Sequence, residues 1–373
     1  MTQRAWRVER ISTRDVQGVF KIGLAALAPF VLLAPLIGLF AFVGCGDGRT
    51  PLVLYSPHGR DLLTLVEDEF EALHPDVDVR WLDMGSQEVY DRVRSEAANP
   101  QADVWFGGPD TIFSRGAQEG LLEPFAPSWT AGQPPELRRG GDHYASLYLA
   151  VPLLMYNSDA VSAADAPSDW DDLLDPRWSD RIVIRDPLAS GTMRTVFGMV
   201  LSQSVMTTGD PAAGFEWLSR LDAQTREYVV NPALLFEKIT RQEGLVSIWE
   251  LTDMLFLQQR GAPVGYAFAD SGTPVIADSI GLVAGARHPD PAREFIEWIG
   301  SPEALALTAE RAFRLPARSD LGADALPTWA RDALAEIRPA DVDWDLIASE
   351  GNNWMAEWDR SVRGQGRAVE PAP

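Results

Sequence analysis

The sequence predicts an α/β protein of two lobes, the first opening as a parallel sheet covered by helices, behind an N-terminal leader. Three observations predict it. At 373 residues the chain exceeds the roughly 250 at which a single core stops growing. From Leu52 to Phe106 strand-like and helix-like pieces alternate, the pattern of a parallel sheet with helices on its faces. A second strand–turn–helix unit opens at Arg181, beyond a β-like run from Tyr144 to Tyr156 long enough to pass from one lobe to another.

The elements follow in order. Leu52–Tyr55 reads as a strand stopped by Ser56-Pro57-His58-Gly59, and Leu62, Leu63, Val66, Phe70 and Leu73 recur at helical spacing until His74-Pro75. Val77–Trp81 alternates as a strand, Glu88–Ala97 reads as a helix, and Ala102–Phe106 is a strand running into a turn at Gly107-Gly108-Pro109-Asp110. Ligands on such sheets sit beyond the carboxyl ends of the strands, so Ser56, Pro57, His58, Gly108 and Asp110 become site candidates by position. Farther on, Ala166–Leu174 is expected as a capped amphipathic helix, and helices are expected over 210–220, 234–242, 251–259, 291–299 and 302–312. Strands are expected over 181–184, 228–230, 245–249, 264–268 and 279–283. In the last fifty residues Trp344, Trp354 and Trp358 are spaced to pack one helix face.

The turn Arg185–Arg194 carries the most chemistry. Between a strand and a helix with Met193, Val196, Phe197, Val200 and Leu201 on one face sit a Pro, Ser190, Gly191 and Thr192. Such a junction leaves backbone N–H groups pointing out of the helix start, where they can hold ligand oxygens. The plain alternative is a helix cap formed by Ser190 or Thr192. Arg194 and Arg185 could add positive charge, or simply flank the helix and strand in solvent. Trp249 could stack on a solute and Glu250 could take an amine or hydroxyl; core and surface roles are the alternatives.

Composition limits the partners. The formal charge is −22, and because residues 1–44 carry five basic and two acidic side chains, the remainder carries −25. Such a surface repels nucleic acid, while a closed site can still take a small anion through its own dipoles and cations. Arg4, Arg7, Arg10, Arg14 and Lys21 precede an uncharged apolar run, 22–43, that ends in Phe42-Val-Gly-Cys45. This resembles a bacterial lipoprotein signal, which implies acylation of Cys45; an uncleaved membrane anchor is the alternative. Either way the body lies outside the cytoplasmic membrane. With Cys45 the one cysteine, no intramolecular disulfide and no Cys-based metal site can form.

Taken together, the Leu54-Tyr55-Ser56 strand end, Ala102–Phe106 with its glycines, Val151-Pro152, Tyr156-Asn157-Ser158, the Asp186–Thr192 turn, His288–Ile296, Ser301–Ala304 and Phe313–Pro316 carry a resemblance. Over Leu52–Val362 the chain resembles the extracellular solute-binding proteins of bacterial ABC importers, of the periplasmic-binding-protein type II class. Within it, the group that binds ferric iron or small organophosphates and phosphonates is the nearest in pattern. The resemblance implies a leader over 1–45, a first lobe over 52–148 and again 266–320, a second lobe over 149–265, and C-terminal helices over 321–373. It implies a monomer that closes its lobes on a solute, presents it to a membrane permease, makes or breaks no bond and needs no cofactor.

The ligand is less determined. Iron-binding members use adjacent tyrosines where this chain has Ser247–Asp253 with none, which argues against iron. The resemblance gives the Ser190-Gly191-Thr192 turn a role in holding phosphate-like oxygens, opposite Ser56-Pro57-His58, so an anionic organophosphate, phosphonate or sugar phosphate is expected. A cationic, polyamine-like solute is the second expectation. A secreted hydrolase is disfavoured, since the chain has no Gly-x-Ser-x-Gly turn, no His-Glu-x-x-His helix and no His near Ser190. A lipoprotein with no transport role is the remaining alternative.

Overall fold

A computed structural model describes residues 48–364. The basic and apolar leader and Cys45 lie outside them, as does the tail from residue 365. Among the described residues no helix is long and apolar enough to cross a membrane.

The first sheet begins with β1 (Thr50–Ser56), whose Leu52 and Leu54 are buried, and α1 (Gly59–Leu73), which buries Leu62, Leu63, Val66 and Phe70 on one face. Next come β2 (Val77–Asp83), α2 (Ser86–Ser95), β3 (Val104–Pro109), α3 (Asp110–Gln118), β4 (Leu122–Glu123) and β5 (Ala145–Ala150). The chain then enters the second sheet with β6 (Pro152–Asn157), β7 (Ile182–Arg185), α4 (Gly191–Thr208), α5 (Ala212–Gln224), β8 (Thr225–Val229), α6 (Pro232–Thr240), β9 (Val246–Glu250), α7 (Leu251–Gln259) and β10 (Val264–Ala267). It returns to the first with β11 (Ile276–Val283), α8 (Pro289–Ile299), α9 (Pro302–Ala312) and β12 (Leu315–Pro316), and finishes in α10 (Thr328–Glu336) and α11 (Trp344–Ser361).

The sheets run β12-β5-β11-β3-β1-β2, with β4 also on β11, and β10-β6-β9-β7-β8. Both are mixed, where the sequence suggested a parallel sheet for the first. Only β1 with β2 and β3, and β7 with β8 and β9, pair in parallel; the returning strands β5, β6, β10, β11 and β12 pair antiparallel. Each sheet has its own core, and α10 and α11 add Ala330, Ile347, Trp354, Met355 and Trp358 to that of the second.

Two local expectations need correcting. The run Tyr144–Tyr156 is two strands in two sheets, interrupted at Val151, because Pro152 has no N–H and can only begin a strand. The stretch Ala166–Leu174 forms just one 3₁₀ turn, Trp170–Leu174, in which the carboxylates of Asp169 and Asp172 take the local N–H groups that a longer helix would use.

Candidate functional site

Between the two sheets lies a cleft of about 890 Å³ whose walls are the carboxyl ends of β1, β7 and β9 and the helices that follow them. Ser190, Thr192, Pro57, His58, Gly108, Trp249 and Glu250 all line it. The two sheets approach closely beside it: a Cβ built on Gly191 would stand 2.8 Å from Pro109 Cδ, and one on Gly85 would stand 3.0 Å from the Ala189 carbonyl oxygen. At the rim, the Arg260 guanidinium at the end of α7 pairs with Asp61 of α1 at 2.5 Å.

At the start of α4 a helix cap and free backbone donors occur side by side. Ser190 is the N-cap, its Oγ accepting the Met193 N–H at 3.3 Å, which leaves the N–H groups of Gly191 and Thr192 without an acceptor among the described residues. Arg185, the last residue of β7, is 5% exposed and lines the cleft. Its guanidinium lies 5.1 Å from the Trp249 ring centroid, Nε has no partner, and no described residue accepts a hydrogen bond or forms a close ion pair with it. Burial pulls its pKa down to about 10, against the pull of Asp253, Glu250 and Asp186. A desolvated cation without a partner is costly unless something else supplies the anion.

Beside it in the sheet, β9 ends at Glu250, the N-cap of α7. Glu250 accepts no hydrogen bond from the described residues, and burial, then the nearby Asp253, raises its pKa to about 8. Asp253, raised mainly by burial, accepts the Trp249 Nε1–H at 2.6 Å. Arg314 reaches in from the first sheet, donating to the His58 carbonyl at 3.0 Å.

The first-sheet wall differs from what was expected of an anion site. Ser56 is buried and accepts the His58 N–H at 3.2 Å. The His58 ring is wedged between Phe106 and Tyr148, with Nε2 2.6 Å from Asp278 Oδ2. Burial lowers its pKa despite that carboxylate, so the ring acts as packing inside the wall, leaning on a glycine that has no room for a side chain, Gly107. The start of α1 already faces a carboxylate: Asp83 stands near the Gly59 N–H, which favours its charge, while burial, the larger effect, raises its pKa. Four arginines and seven carboxylates line the whole cleft.

Asp110 and Arg194 fall away from the cleft. The expected turn at Gly107–Asp110 is strand through Pro109, with Gly107 and Gly108 at φ +104° and +121°. Asp110 therefore starts α3, buried in an ion pair with Arg139. Two residues turn a helix by about 200°, so with Thr192 on the cleft, Arg194 points the other way and donates to Asn352 Oδ1 at 2.8 Å. Gly191 contributes its backbone and its smallness against Pro109 and Ser86. The residues missed include Asp83, Asp253, Asp278 and Arg314; position at a strand end or helix start could have flagged the first two, and nothing local flags Asp278, inside β11, or Arg314. Among the described residues no tyrosine lines the cleft, and no group of three or more His, Cys, Asp or Glu side chains could hold a metal ion.

Residues 66–337 match the family model for bacterial extracellular solute-binding proteins. A Sinorhizobium fredii protein named as an ABC-transporter periplasmic-binding protein, y4fP, is 27% identical over 352 residues, 93% of this chain and 94% of that one. A Salmonella typhimurium protein named for periplasmic 2-aminoethylphosphonate binding is 27% identical over 297 residues, 78% of this chain and 84% of that one. In structure the chain is similar to the periplasmic binding protein AfuA from Actinobacillus pleuropneumoniae, solved with fructose-6-phosphate bound: TM-score 0.74, 22% identity, 85% of this chain and 99% of that one. The two-sheet architecture is that of type II periplasmic-binding proteins.

Proposed function

This chain belongs to the bacterial extracellular solute-binding proteins, working outside the cytoplasmic membrane with the permease of an ABC importer, and we propose that its cargo joins a phosphonate or phosphate group to an amine. One observation carries this reading. Arg185 and Glu250 end neighbouring strands, face the same cleft and are both without a partner, though they stand close enough to influence each other's titration. A zwitterionic solute placed there satisfies both.

The oxygens would sit against the Arg185 guanidinium and the free N–H groups of Gly191 and Thr192, where helix dipole and charge-assisted hydrogen bonds favour an anion. The ammonium group would meet Glu250 on one side and the acidic first-sheet wall, with Asp83, on the other. A purely anionic solute fits less well, because seven carboxylates surround it and the α1 start already faces Asp83. The Salmonella relative named for 2-aminoethylphosphonate supports the same chemistry.

Titration calorimetry with 2-aminoethylphosphonate, ethylphosphonate and ethanolamine tests this. The first is expected to bind at least about a hundredfold more tightly than either half-molecule, each charged contact being worth roughly 1.5–3 kcal/mol. Equal binding of ethylphosphonate, or tighter binding of a polyamine such as putrescine, contradicts it.

A further inference from the structure

The start of α6 also faces the cleft, with chemistry opposite to that of α4. Asn231 caps it, its side chain accepting the Ala233 N–H at 2.8 Å, and Pro232 at the first position has no N–H to give. Instead of free donors it presents Val230, Pro232, Ala233 and Phe236 to the cavity, continuous with Trp249, whose ring lies 6.2 Å from that of Phe236 in an edge-on contact. Val230 is 64% exposed and Leu234, one turn along, is 38% exposed. Of the five large hydrophobic side chains exposed among the described residues, Val230 is the one that lines the cleft, beside Pro232, Ala233 and Phe236. Clustered apolar exposure marks a surface that something covers.

Resting on the reading of a phosphonate or phosphate joined to an amine, we infer that the solute also carries a hydrocarbon portion, alkyl or aryl, laid against this α6 wall. The cleft volume, about 890 Å³, lies toward the upper end of the roughly 300–1,000 Å³ typical of small-molecule pockets, and a two-carbon aminophosphonate leaves most of it unfilled. A polyol placed on the same wall would give up its water for side chains that return no hydrogen bond, apart from the single amide of Asn231. The wall therefore selects hydrocarbon over sugar.

The test is calorimetry on the intact protein with 1-aminoalkylphosphonates whose side chain grows from methyl to butyl to benzyl, and with glucosamine 6-phosphate, which has the amine and phosphate on a polyol. Affinity is expected to rise about three- to fourfold per added methylene, the equivalent of about 0.8 kcal/mol, and glucosamine 6-phosphate to bind more weakly than the benzyl compound. In Val230→Ser and, separately, Phe236→Ala the gain along the series should shrink while the methyl compound binds as before. A flat series, or tighter binding of glucosamine 6-phosphate, overturns the inference and leaves the aminophosphonate reading standing. Variants that weaken every member alike also overturn it, since they would show that the wall meets the opposite lobe. Failure of 2-aminoethylphosphonate and of every series member to bind removes both.

Discussion

Arg185 and Arg194 flank the same turn, and sequence weighs them equally; their surroundings separate them. The last residue of a buried parallel strand points its side chain beyond the sheet edge, which puts Arg185 over Trp249 and into the cleft. Arg194 stands on the far side of α4. Glu250 was legible as a candidate because it ends a strand, and its environment gives it a measurable signature. Its pKa is raised in the folded protein to about 8, above the roughly 4.3 of an unfolded glutamate. Between those values the unfolded state releases a proton that the folded state keeps, so stability falls as pH rises. Glu250→Gln is expected to leave the melting temperature of the free protein nearly unchanged at pH 4.5 and to raise it by about 2 °C or more at pH 8. A gain of the same size at both pH values would show that Glu250 ionises normally in its place.

Helix starts show at the level of elements what sequence could and could not supply. Gly59, Ser86, Gly191 and Pro232 all begin helices beside the cleft, and strand-to-helix punctuation by Ser, Gly and Pro locates such junctions well. Which one is free to receive a ligand depends on partners distant in sequence: Asp83 stands at the start of α1, Asn231 and Pro232 close that of α6, and α4 combines two free N–H groups with a neighbouring buried arginine. Ser56 and His58, expected on the opposite wall, turn inward for the same reason: Ser56 Oγ takes the His58 N–H and His58 Nε2 meets Asp278, with the buried Nδ1 left unpartnered. At Gly191 the helix start also meets the opposite lobe. Gly191→Ala inserts a methyl group 2.8 Å from Pro109 Cδ and 3.1 Å from Ser86 Cβ. Overpacking of this kind costs about 1–3 kcal/mol, here against the approach of the two lobes seen in this structure. Solute affinity is expected to fall about tenfold by calorimetry, with the radius of gyration of the loaded protein slightly larger in small-angle scattering. Unchanged affinity would mean that the two lobes need not meet there.

For the whole molecule, the alternation of strands and helices over Leu52–Phe106 was enough to give an α/β fold, and the second unit from Arg181 gave the second sheet. The antiparallel returns were not legible, because pairing direction in a mixed sheet is decided by which strand end a distant segment reaches. The long run Tyr144–Tyr156 was visible as a crossing, and its break at Val151-Pro152 is where the chain leaves β5 for β6. Val264–Val283 crosses back in the same way, from β10 to β11. A solute held from both sides of these crossings links its binding to the stability of the entire protein. Thermal unfolding with 2-aminoethylphosphonate, for the wild-type chain and for Arg185→Gln, measures that link directly. At a hundredfold excess over the dissociation constant, the wild-type protein should gain about 2.7 kcal/mol, while Arg185→Gln at the same concentration should gain little or nothing. Equal stabilisation of the two proteins would contradict the assignment of Arg185 as the anion-holding residue of the cleft.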